Sequence, residues 1–133
     1  MYKYILIVLV VFSACKKKEA TILSQEISDW QFEYLGDWHQ AEVPGSNFSD
    51  LLKHNFIPDP FYGTNEDSIQ WVCERNWQYK SHFSAPKSSL ENENQLLVFS
   101  GLDTYAKVYL NDSLILQANN MFRTWEIDVS DIL

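Results

Sequence analysis

At 133 residues the chain has room for one domain at most, and 46% hydrophobic with 15% aromatic content argues against disorder over most of it. A formal net charge of −8 repels phosphate backbones, so nucleic acid is not an expected partner. Two cysteines cannot build a disulfide framework.

The N-terminus places Lys3 before an apolar run from Ile5 to Phe12. That run is far shorter than the ~20 residues of a membrane-spanning helix and matches the apolar region of a signal peptide. Small residues Ser13 and Ala14 precede Cys15, and the string Phe-Ser-Ala-Cys resembles a bacterial lipobox. The resemblance implies cleavage before Cys15, lipidation of its thiol, and a lipid-anchored place in the cell envelope, periplasmic or outer-surface. Residues 1–14 thus read as a lipoprotein signal peptide and 15–28 as a tether. Its Lys16-Lys17-Lys18 run suits anionic head groups. Residues 29–133 read as the folded domain.

Trp30, Phe32 and Tyr34 alternate with polar residues, the period of a half-buried strand, and Gly36-Asp37 breaks it. Ser46 to His54 has the pattern of one or two helical turns, capped by Ser46 or Asn47, with Leu51 and Leu52 turned inward. Residues 55–76 carry Pro58, Pro60 and Gly63 with no periodicity and read as one long ordered loop, a class of segment that often binds or covers something. Trp77, Tyr79, Ser81 and Phe83 alternate again. Leu96 to Phe99 is continuously apolar, as in a strand covered on both faces. Ala106, Val108 and Leu110 mark one face of a further strand. Asn111-Asp112 turns the chain, and Leu114 to Leu116 returns as its hairpin partner. After a turn at Asn119-Asn120, Trp125, Ile127 and Val129 point inward. Short strands between closely spaced turns define an all-β sandwich, with about six strands against the ~8 of a complete jelly roll.

Specific strings now accumulate in order: VPG (43–45), DLL (50–52), IPDPFYGTNE (57–66), QWV (70–72), WQY (77–79), FSGLDTYA (99–106), NMFRTW (120–125) and DVS (128–130). Together they resemble the opening of the β-mannosidases of glycoside hydrolase family 2. The resemblance implies a galactose-binding-like jelly-roll β-sandwich, incomplete at its C-terminus here, set before further domains and a (β/α)₈ barrel. It implies hydrolysis of terminal non-reducing β-D-mannosyl residues with retention, by two barrel glutamates beyond Leu133. The expected partners are β-mannoside oligosaccharides or glycans, the barrel, and the membrane through the anchor. No catalytic residue is expected within this chain, which alone should be inactive.

Asn65 and Trp71 are the candidate substrate contacts. An amide bridges hydroxyls as donor and acceptor, and an indole face stacks on a pyranose. The alternative is that Asn65 holds the loop backbone and Trp71 is core. Asp59, Glu66 and Asp67 are the nearest clustered carboxylates and read as surface charge. Asn120, Phe122, Arg123 and Trp125 form a hairpin mouth read as structural. His39, His54 and His82 lack metal-ligand spacing, so no metal or cofactor is expected, and Cys73 is expected to be buried and inert. Two other readings stay open: a free-standing carbohydrate-binding lipoprotein, and a β-galactosidase or β-glucuronidase relative.

Overall fold

A computed structural model describes residues 23–87 and 94–133. Cys15 and the leader before it lie outside the described residues, as do the first residues of the tether. Among the described residues strands predominate, with short helices between them.

Alternation in the first strand, β1 (Gln31–Tyr34), drives Phe32 to complete burial. Leu35 and Gly36 follow with φ of 55° and 90°, both left-handed, which is the requirement of a tight two-residue reversal. The chain therefore returns at once as β2 (Asp37–Gln40), pairing Phe32 with His39 and Glu33 with Trp38. Gly36-Asp37, read from sequence as a break, is thus the bend and first residue of a hairpin. The two-residue β3 (Tyr79–Lys80) pairs with the other edge of β1, giving a sheet ordered β2-β1-β3.

Helix α1 (Asn47–Lys53) starts where Ser46 caps it. The Ser49 N–H donates to Ser46 Oγ at 3.2 Å, and the Ser46 N–H donates to Ser49 Oγ at 3.0 Å. This is a capping box closed by serine rather than Glu or Gln. Leu51 is fully buried, but Leu52 is 40% exposed, against expectation. Asp50 and Leu51 take the inward side of α1, and the next residue, a further ~100° round the helix, turns out.

The expected single loop over 55–76 contains two one-turn helices, α2 (Asn65–Ser68) and α3 (Trp71–Glu74). Ile69 and Val72, three residues apart, enter the core there. With Phe32, Ala41, Leu51 and Ile57 they form the core cluster, rimmed by Trp30, Tyr34, Phe48, Phe56, Trp71, Trp77 and Tyr79.

The second half forms two antiparallel pairs, of which the later-starting one is a hairpin. Strand β4 (Leu96–Phe99) pairs with β7 (Trp125–Asp128), and β5 (Ala106–Leu110) pairs with β6 (Ser113–Ala118) around Asn111 and Asp112 at φ 47° and 63°. The β5–β6 turn and the inward sets Ala106/Val108/Leu110 and Trp125/Ile127/Val129 agree with the sequence reading. Strand β4 does not. Leu96 and Val98 are 56% and 52% exposed, so one face is covered and the other open. Apolar composition set the two-sided expectation, and nothing among the described residues lies over the outer face.

Candidate functional site

The DPFYGTNE segment is a self-braced turn. Asp59 Oδ1 accepts from the Phe61 N–H at 2.9 Å, and the Asp59 carbonyl accepts from the Tyr62 N–H at 3.2 Å and from Asn65 Nδ2 at 2.9 Å. Gly63 supplies a φ of 62°, where a side chain would add strain. The result holds Phe61, 97% exposed, and Tyr62, 76% exposed, outward on the turn. Asn65 is half-buried, with its amide nitrogen engaged on Asp59. Its Oδ1 makes no hydrogen bond among the described residues.

Trp71 sits farther along, at the start of α3. Its ring stacks on Tyr34 at 6.0 Å with 20° between planes and lies 6.1 Å from Trp77. Arg75 braces this group. Its guanidinium lies 5.3 Å from the Tyr34 ring centre and 4.9 Å from that of Trp77, and Nη2 reaches Glu33 Oε2 at 3.1 Å. Glu33 Oε1 also accepts the Gly36 N–H at 2.7 Å, so one carboxylate joins the β1–β2 turn to the end of α3. Asn65 and Trp71 thus share one segment, and no hydrogen bond joins them. Each has a structural partner set, Asn65 on the loop backbone and Trp71 on the core rim.

Asp50, part of the DLL string but given no role there, is a buried anchor. It is 1% exposed, and its carboxylate accepts from the Glu42 N–H and from Tyr79 Oη, each at 2.9 Å. Burial, then the neighbouring Asp50 carboxylate, push the Tyr79 hydroxyl far above its ordinary range. An acid beside a buried leucine on so short a helix carries no period that separates it from a surface acid.

The other acids of the loop, Glu66 and Asp67, are exposed, as is Asp59. Cys73 is exposed, not buried as expected. On one-turn α3 Val72 takes the inward direction, which turns its neighbour out. His39 and His54 pack 5.5 Å apart against Phe32 and Phe56, with His54 Nε2 2.8 Å from the Gln40 carbonyl. At the hairpin mouth, Arg123 lies 4.0 Å over Trp125, Trp125 Nε1 donates to the Asn120 carbonyl at 3.4 Å, and Phe122 is 90% exposed.

The strands, the braced turn and the aromatic rim make an all-β domain, and its class is given by comparison as galactose-binding-like. Residues 20–133 match the family described as glycosyl hydrolase 2 galactose-binding domain-like, and the chain belongs to that family. Beta-mannosidase B of Thermothelomyces thermophilus is 38% identical over 79% of this chain and 13% of its own. Beta-mannosidase A of Emericella nidulans is 42% identical over 70% of this chain and 10% of its own. The rat beta-mannosidase is 34% identical over 70% and 11%. The crystal structure of a beta-D-mannosidase from Dictyoglomus thermophilum superposes with a TM-score of 0.76 at 39% identity, over 80% of this chain and 13% of that one. The chain therefore spans only about 10–13% of the length of these relatives.

Proposed function

We propose that the chain is the N-terminal part of a β-mannosidase that removes terminal non-reducing β-D-mannosyl residues. The observation that carries this is consistency among relatives. Fungal, rodent and bacterial proteins at 34–42% identity all bear the same activity in their names, and the match runs through nearly the whole domain. In this reading hydrolysis proceeds with retention, through a glutamate acid/base and a glutamate nucleophile ~5–5.5 Å apart on a barrel outside these 133 residues.

The chain alone is then inactive. Such a pair needs rigid placement and separated proton affinities. The exposed loop carboxylates Asp59, Glu66 and Asp67 offer no such enclosure. The domain's contribution is to buttress the barrel and present the 59–71 segment to the sugar, with Asn65 Oδ1 as acceptor and the Trp71 edge as wall. Cys15 carries the lipid that holds the enzyme in the cell envelope.

Reading the gene beyond the Leu133 codon and assaying the full product tests the enzyme reading. Release of nitrophenol from nitrophenyl β-D-mannoside in preference to the β-galactoside and β-glucuronide is expected. Preference for either of the others would overturn the substrate assignment, and a frame closed at Leu133 would overturn the enzyme fragment. Metabolic labelling with palmitate tests the anchor. Cys15→Ser should abolish the label and move the protein to the soluble fraction, and a label surviving the substitution would refute it.

A further inference from the structure

We draw no further inference here: the strongest candidate, the apolar groove between α1 and the Asp59–Tyr62 turn lined by Phe48, Leu52, Pro60 and Phe61, is an unpartnered face, and nothing in the structure shows what covers it.

Discussion

Truncating Asp50 to alanine withdraws two acceptors from a position that water does not reach. The Glu42 N–H and the Tyr79 hydroxyl both lose their partner in the same step, and both are at least partly buried. Hydrogen bonds to a charged group contribute about 1.5–3 kcal/mol each. Those values are already net of desolvation, and both donors left behind are only part-buried, so the low end applies to each. The loss is about 3 kcal/mol, large beside the 5–15 kcal/mol of a typical domain. Asp50→Asn keeps an acceptor for Glu42 and presents a donor that the Tyr79 oxygen can accept, so its loss should be about 1 kcal/mol. Urea unfolding followed by tryptophan emission reads the difference, since Trp30, Trp71 and Trp77 all rim the core. The same pair contributes to the pH dependence of stability at high pH. Tyr79 ionises at higher pH folded than unfolded, so the folded state holds its proton more tightly. That stability is fully present below the ordinary tyrosine value of ~10 and is lost as pH rises above it. Tyr79→Phe should be less stable at neutral pH yet fall less steeply above pH ~10. A loss for Asp50→Ala below about 0.5 kcal/mol, or equal losses for the alanine and asparagine variants, would refute the clamp.

Three further changes test the other joints. Arg75→Ala removes a half-buried ion pair and two ring contacts and should cost about 1–2 kcal/mol with a shift in tryptophan emission; Lys at this site should recover only part, because it lacks the planar fork. Gly45→Ala places a Cβ 2.2 Å from the Glu42 carbonyl oxygen, a backbone clash that should lower the melting temperature by several degrees, readable in a thermal scan. Residues 15–133 produced alone should self-associate, and Leu96→Lys with Val98→Thr should reduce this in light scattering, since both positions lie on the open face of β4.

Legibility from sequence followed the length and regularity of each element. The Trp30–Phe32–Tyr34 alternation gave β1, and Ser46 gave the helix start, because each is a local rule satisfied within a few residues. Asn111-Asp112 was equally plain, since both residues tolerate positive φ. Strand β2 was hidden because Asp-Trp-His-Gln has one strongly apolar residue in four and offers no period to detect. Helices α2 and α3 last one turn each, shorter than any window in which a 3.6-residue repeat shows. At the site, the loop was visible as a motif, but its bracing by Asp59 was not. The Asp50–Tyr79 contact joins residues 29 apart in sequence. No local pattern encodes that.

The two halves of the domain also stand on unequal footing. The core cluster draws all its buried members from residues 32–72, and β1, β2, the capped helix and the 55–76 segment close around Phe32, with β3 added from residues 79–80. Among the described residues beyond 94 the buried apolar side chains are Leu110, Ala118 and Val129, while Tyr109 and Leu114 remain exposed on a two-stranded pair and Tyr105 and Phe122 on the segments beside the strands. A two-stranded pair is marginal in water and gains stability when a further layer covers its apolar face. The second half is therefore the part whose order depends most on what it is set against. The Phe61-Tyr62 turn is the contrasting case, rigid by its own hydrogen bonds and yet displaying two aromatic rings to solvent. A domain that is firm at its braced turn and open along its hairpins is suited to positioning a segment for a larger body, which is the role the proposed β-mannosidase assigns to it.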